Sequence, residues 1–418
     1  MRFQVSRVMD TIERRLTTDV TLAQAVVDLG EIARFAALDD GRPVNLLRIG
    51  VAIDALSRYL LDAGAMLYGI AGRDLLSEPG FTSKERMVLG RWLDDGLIEV
   101  TADIADRAAE VADLTGLPLV TVRSMEQYAE RFAWLRDSPQ RVLRLRPRAG
   151  SGVLVPADGE DSDPREAPQV AVGKAAVGKA AVATSGEAPP YPEVFATHGA
   201  QRISHTRVVR RLVTRAEPSG LGVSLVARQW RCAAPDCPAF GERREIGQPV
   251  PRMRGGVPTC PRHGGHLRDV GPRPAACAVS VVVDDLPRQR FAVREGRPVR
   301  VGVADGEDAI SVAQWAHEAA KAWIGPAHVR LEVHDGRLVV TDVSANGTAV
   351  WQRSGPDDPG RTTWLYGSSY TLNDWDSVEL YTGLELMLGD RRLATVLGRS
   401  EPVSVLIDAP TAALRQLG

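Results

Sequence analysis

Between Ala149 and Glu193 the chain reads AGSGVLVPADGEDSDPREAPQVAVGKAAVGKAAVATSGEAPPYPE, with a near-duplicated AVGKA and almost no large apolar side chains. Burial in such a stretch cannot offset the entropy lost on ordering it. It predicts a flexible linker over 149–200, which rules out one continuous core across 418 residues. The remainder then falls into an N-terminal region 1–148, a Cys/His region 201–275, a β region 276–400 and a C-terminal tail 401–418.

Composition limits what these parts do. A hydrophobic content of 44% supports sizeable cores, and a net charge of −2 gives no global field toward nucleic acid or membranes. No window offers about 18 uninterrupted apolar residues, so no membrane partner is expected. MRFQVSRVMDTIERRL at the N-terminus is amphipathic and lacks the apolar run of a secretory signal. Four cysteines in a chain this long make no disulfide scaffold. The expected compartment is the cytoplasm. The preference for Arg over Lys and the abundance of Ala are usages of high-G+C bacterial chains.

In the N-terminal region MDTIERRLTT and RIGVAIDALSRYLLDA repeat apolar residues at helical spacing. AVVDL, AMLYGIA, LIEV and PLVTV are apolar runs of strand length. Alternating strands and helices predict a parallel sheet with helices on its faces, whose ligand sites lie at the carboxyl ends of strands. Asp28 ends the first such run, and Asp103 and Asp106 follow another. Carboxylates gathered there offer hard oxygen ligands for Mg²⁺ or Mn²⁺; as structural residues they would be helix N-caps and solvated loop acids.

VVDLGEIAR, followed by LDDGLIEVTADIADRAAEVADLTGLPLVTVRSMEQYAERF, resembles the PIN/NYN-like ribonuclease family over roughly residues 20–135. The resemblance implies a metal-dependent ribonuclease with Asp28 as the first acid and Asp106, with Asp103, as the middle one. Where it implies a final acid after PLVTV, this chain has Arg123, and Glu31 stands where the family has Asn. A guanidinium at a cation site opposes metal binding unless Glu31 compensates. Both a catalytic domain and a non-catalytic interaction domain follow. A third reading treats 109–130 as a helix-turn-helix of a DNA-binding regulator, with Ala112, Gly116 and Val122 at the offsets of a tight helix pair and a recognition helix from Pro118.

The middle region carries RCAAPDCPAF and VPTCPRHGGH. Cys232 and Cys237 form one pair, Cys260 and His263 the other, with His266 as a spare. Two tight pairs about twenty residues apart can close on one tetrahedral ion, and Pro and Gly around them suit turns. The expectation is a structural zinc knuckle that draws much of its folding energy from the metal. Cys277, at the start of a strand-like run, reads as a small core residue. From Gln201 to Arg268 there are 13 arginines, no lysine and four acids, a surplus suited to nucleic acid phosphates or an acidic protein.

From Ala278 onward AVSVVV, RFAV, VRVGV, VRLEVH, RLVVTDV and SVELY are short β-branched runs between Gly, Asp and Asn, a spacing that predicts a β-sandwich. SVAQWAHEAAKAWIG interrupts them as a helical insertion or long loop. VRVGV, IGPAHVRLEV, DVSANGTAV and YGSSYTLNDWDSVELY resemble forkhead-associated (FHA) domains over roughly 280–400. That resemblance implies phosphothreonine recognition through an Arg after the first Gly, a Ser three residues before the His, and an Asn gripping the peptide backbone. Here Gly302 is followed by Val303 and the Ser position holds Gly325, leaving His328, Ser344 and Asn346. Losing two charged hydrogen bonds of roughly 1.5–3 kcal/mol each weakens phosphopeptide binding by about two to four decades. The combined expectation is a multi-domain α/β plus all-β adaptor joining protein partners, phosphorylated or acidic.

Overall fold

The computed structural model describes residues 2–39, 41–60, 62–148, 151–158, 216–242, 247–355 and 358–389. In the N-terminal region, short β-branched runs become β1 (Leu16–Thr17), β2 (Ala25–Asp28), β3 (Leu67–Gly72), β4 (Glu99–Thr101), β5 (Leu119–Thr121), β6 (Val142–Arg148) and β7 (Ser151–Pro156). They make one sheet in the order β1-β3-β2-β5-β6-β7, with β4 also on β3. Every pairing is parallel except β6 with β7. Helices intervene as α1 (Arg2–Glu13), α2 (Leu29–Arg34), α3 (Arg48–Leu60), α4 (Arg73–Leu76), α5 (Ser83–Asp94), α6 (Ile104–Thr115) and α7 (Trp134–Asp137). Residues of α1, α2, α3 and α5 build one core with the sheet. Those of α6 and α7 build a second core. Strand β3 is buried throughout, which is why its sequence is a continuous apolar run rather than an alternation.

Two expectations change here. Leu117 to Val122 does not start a recognition helix: Leu119–Thr121 is a buried strand between β2 and β6, and its β-branched content is the physical reason. The helix-turn-helix reading is therefore withdrawn. The expected linker also starts later than Ala149, because SGVLVP buries Gly152 and Leu154 on one face and pairs with β6 as β7. Residues 149–150 and 159–200 of that stretch, with 201–215, the end of the expected β region at 390–400 and the tail 401–418, lie outside the described residues.

The middle region is continuous with the second core. Helix α8 (Gly220–Val226) lies against α6; a β-carbon on Gly222 would sit 1.9 Å from the Leu114 carbonyl oxygen, so only glycine permits this approach. β8 (Arg228–Arg231) pairs with β11 (Arg268–Pro272), and β9 (Arg252–Arg254) with β10 (Val257–Thr259). Leu225, Trp230, Phe240, Val250 and Leu267 join the α6 core, so this region holds more core than its sequence suggests. Arg107, fully buried, clamps the seam. It bonds Glu99 at 2.6 Å and Glu110 at 2.7 Å, and donates to the carbonyls of Val250 and Pro251. Burial opposes the Arg107 charge, but Glu99 and Glu110 outweigh it and raise its pKa.

The Ala157 N–H bonds the Val142 carbonyl, and the Ala216 N–H bonds the Gly116 carbonyl. Val142 and Leu119 are register partners. Ala157 and Ala216 therefore both sit at the amino ends of neighbouring strands.

The β region runs β12 (Ala276–Val283), β13 (Leu286–Arg294), β14 (Val299–Gly302), β15 (Ala309–Ser311), α9 (Glu318–Ile324), β16 (Val329–His334), β17 (Arg337–Asp342), β18 (Thr348–Gln352), β19 (Arg361–Leu365), β20 (Ser369–Thr371), β21 (Ser377–Tyr381) and β22 (Leu384–Leu388). A six-stranded sheet, β13-β12-β22-β21-β18-β19, faces a five-stranded one, β15-β14-β16-β17-β20. They share one core that includes Val281, Phe291, Val301, Leu331, Val340 and Leu386. The expected sandwich is present, and α9 is the helical insertion. Strand β13 of the sandwich meets the N-terminal region through a buried ion pair, Arg290–Asp62 at 2.5 Å, and a part-buried one, Arg294–Asp19. Among the described residues no helix is long and apolar enough to cross a membrane.

Candidate metal centre

Two turns carry the Cys/His cluster. Cys232 follows β8, and its N–H bonds the Phe240 carbonyl; Cys237 is in the turn between, and its sulfur accepts the Phe240 N–H at 3.4 Å. Cys260 follows β10, and a tight turn bonds Gly264 N–H to the Cys260 carbonyl at 2.7 Å, placing His263 beside its partner. The four ligand atoms lie within 4.8 Å of one another, the thiols buried and the imidazole exposed. A tetrahedral zinc with bonds of about 2.3 Å to sulfur and about 2.0 Å to nitrogen separates sulfurs by about 3.8 Å and sulfur from nitrogen by about 3.5 Å. The structure gives 3.8 Å for Cys237–Cys260, and 3.4 and 3.7 Å from His263 Nδ1 to Cys232 and Cys260. The donor set fits a tetrahedral metal. A hydrogen bond from the Cys260 thiol lowers the pKa of the Cys237 thiol. His266 is exposed in the neighbouring bridge and Cys277 lies in β12, both outside the cluster.

The acids at the carboxyl ends of the sheet behave differently. Asp28 caps α2, accepting the Glu31 N–H at 3.0 Å. Glu31 accepts Thr121 Oγ1 and the N–H groups of Val122 and Arg123, at 2.8 to 3.1 Å. Between the two carboxylates lies Arg123, with Nη2 3.3 Å from Asp28 and Nε 3.1 Å from Glu31. Burial pushes the Asp28 carboxyl up to about 6, with the Glu31 charge adding to the rise; the α2 cap bond and Arg123 pull the other way. Asp103 instead bonds Arg252 of the middle region at 2.8 Å, and Asp106 pairs with Arg131. Asp28 and Glu31 are together, Asp103 and Asp106 are each paired elsewhere, and among the described residues the Cys/His set alone gathers three or more metal-ligating groups.

At one end of the sandwich, His328, Ser344 and Asn346 converge. His328 is buried; its Nδ1 is 3.1 Å from the Ile324 carbonyl and its Nε2 has no partner among the described residues. Burial lowers its pKa. Asn346 donates to the Trp323 carbonyl at 2.7 Å. Ser344 and Thr348 both bond Asp342, which also accepts the Gly367 N–H. Asp342 is the organiser of this turn that the sequence reading missed; its place before a Ser-x-x-x-Thr run was the available signal. Val303 N–H bonds the Gly325 carbonyl at 2.9 Å, so the two positions that lack phosphate ligands touch each other. Tyr366, 58% exposed and stacked on Trp364, covers Gly347, whose β-carbon would lie 2.5 Å from its ring.

No protein-family model matches the chain, and no curated protein matches it. Among solved structures, the FHA domain of CT664 protein from Chlamydia trachomatis matches at 19% identity over 28% of this chain and 99% of that chain, with a TM-score of 0.21. The FHA domain of an Arabidopsis thaliana hypothetical protein matches at 21% identity over 31% and 91%, also with a TM-score of 0.21. Likeness at this level carries no functional weight.

Proposed function

We propose that this chain is a non-catalytic adaptor, built on a PIN/NYN-like sheet, that presents an FHA-like sandwich to protein partners and is braced by a structural zinc knuckle. The observation that carries this reading is the Arg123 guanidinium lying on Asp28 and Glu31. It supplies internally the positive charge that a catalytic Mg²⁺ or Mn²⁺ would bring. At the knuckle, Cys232, Cys237, Cys260 and His263 would hold zinc with no position open for substrate. At the sandwich end, Asn346 and Ser344 serve the turn, and Val303 and Gly325 offer no cation to a phosphate, so an unphosphorylated segment suits it better than a phosphothreonine.

A metal-dependent ribonuclease is the second reading, favoured by the Asp28 carboxyl at about 6 on the carboxyl end of β2. An RNA-cleavage assay in Mn²⁺ separates the two. The adaptor reading expects no cleavage that depends on Asp28; cleavage by the wild type that is lost in Asp28→Asn overturns it.

A further inference from the structure

The hairpin β9–β10 leads into one ligand pair of the knuckle and reaches the carboxyl end of β4. Its two strands pair with each other alone, over three residues each, and turn on Gly255 and Gly256, both at positive φ. Two strands of that length are marginal by themselves, so contacts at the hairpin's ends decide whether it keeps its shape. At the knuckle end, Cys260 directly follows β10. Thr259, its neighbour and the register partner of Arg252, donates Oγ1 to the Arg252 carbonyl at 2.9 Å. The Arg262 carbonyl, between Cys260 and His263, accepts Arg73 Nη2 at 3.3 Å from the start of α4. At the sheet end, Arg252 donates to Thr101 Oγ1 at 3.0 Å and to Asp103 Oδ2 at 2.8 Å.

Asp103 has a second partner within its own helix. It is the N-cap residue of α6, and Asp is among the side chains best suited to accept the free N–H groups of a first turn. Asp28, Thr82 and Ser219 cap α2, α5 and α8 in that way. Asp103 makes no such bond; Arg252 holds its carboxylate instead. The Asp103 side chain is 56% exposed, and an ion pair of that kind is similar in strength to an N-cap bond. A small change at the hairpin therefore suffices to choose between them. We propose that Asp103 is a two-way latch between the knuckle metal and the sheet. With metal holding the hairpin, Arg252 draws Asp103 off α6; with the hairpin released, Asp103 caps α6. Such coupling is reciprocal, so the Arg252–Asp103 bond also strengthens metal binding at Cys260 and His263. The latch rests on the zinc knuckle proposed above and goes beyond it, giving the metal a readout at the edge of the sheet.

The test uses the full chain equilibrated with zinc. Zinc content of the wild type is read first, and a chain without zinc overturns knuckle and latch together. Zinc affinity is then measured by competition with a chromophoric chelator for wild type, Arg252→Gln, Asp103→Ala and the double variant. Each single substitution is expected to weaken zinc binding by at least about fivefold, and the double variant to be no weaker than either alone. Hydrogen exchange on the zinc-loaded proteins supplies a readout that a merely structural contact would not move. The amides of Ile104 to Asp106 are expected to exchange more slowly in Arg252→Gln than in wild type, and to lose that gain when Asp103→Ala is added. Where Arg252→Gln fails to fold, Asp103→Ala, at an exposed side chain, still reads the affinity change. Zinc affinity unchanged in a folded single variant, additive losses in the double variant, or first-turn amides that do not slow in Arg252→Gln overturns the latch and leaves the knuckle standing.

Discussion

Two clusters of ligand-type side chains among the described residues differ in the charge that lies between them. At the sheet, Asp28 and Glu31 are brought together by a strand end and a helix start, and the same fold delivers Arg123 onto both. At the knuckle, four ligand atoms converge within 4.8 Å, with sulfur facing sulfur and imidazole and the Phe240 N–H donating to Cys237. Closeness of ligand-type residues is therefore not what defines a metal site. The charge that the fold leaves between them decides.

The largest expected effect is at the knuckle. Cys260→Ser removes a ligand whose sulfur is buried against Cys237, and is expected to abolish bound zinc and to destabilise the chain by several kcal/mol; metal analysis and a urea titration measure both. Retained zinc with unchanged stability would break the contrast. At the carboxylate site the expected effect has the opposite sign. A carboxyl raised to about 6 from near 4 favours the folded state most below pH 4, and that contribution is lost as pH rises through 6. Asp28→Asn keeps an N-cap and removes the buried charge, so it is expected to gain about 1–2 kcal/mol at pH 8 and flatten stability between pH 4 and 6. A loss of stability at pH 8 would mean that Arg123 holds the pair more strongly than burial opposes it.

Arg123→Ala sharpens the comparison further. Arg123 is 43% exposed, so its removal is expected to change stability by under about 1 kcal/mol while giving a calorimetric Mn²⁺ signal absent from the wild type. The smallest effect is expected from Cys277→Ser, which should leave zinc content unchanged because Cys277 lies in β12, outside the cluster.

Much of this was legible in the sequence for local reasons. β-branched runs bounded by Gly and Asp gave the sandwich strands, and paired spacing gave the four knuckle ligands before any geometry. Arg123 was visible as a cation in an acid's place. What the sequence hid is long-range. Asp103 and Asp106 follow β4 as expected, but their partners, Arg252 and Arg131, are distant in sequence. The stretch 149–200 promised modules on a tether, whereas Ser151–Pro156 within it pairs with β6 and, beyond it, Ala216 bonds Gly116. Composition reports that a segment lacks core residues; it is silent on what that segment pairs with. Arg107 likewise reads as a surface helix residue until Glu99, Val250 and Pro251 close around it.

The most direct test of the account is metal analysis of the purified full chain equilibrated with zinc and manganese together. One zinc per chain and no manganese is the expected result, with the knuckle loaded and the carboxylates closed by Arg123. Manganese bound by the wild type and lost in Asp28→Asn would contradict it.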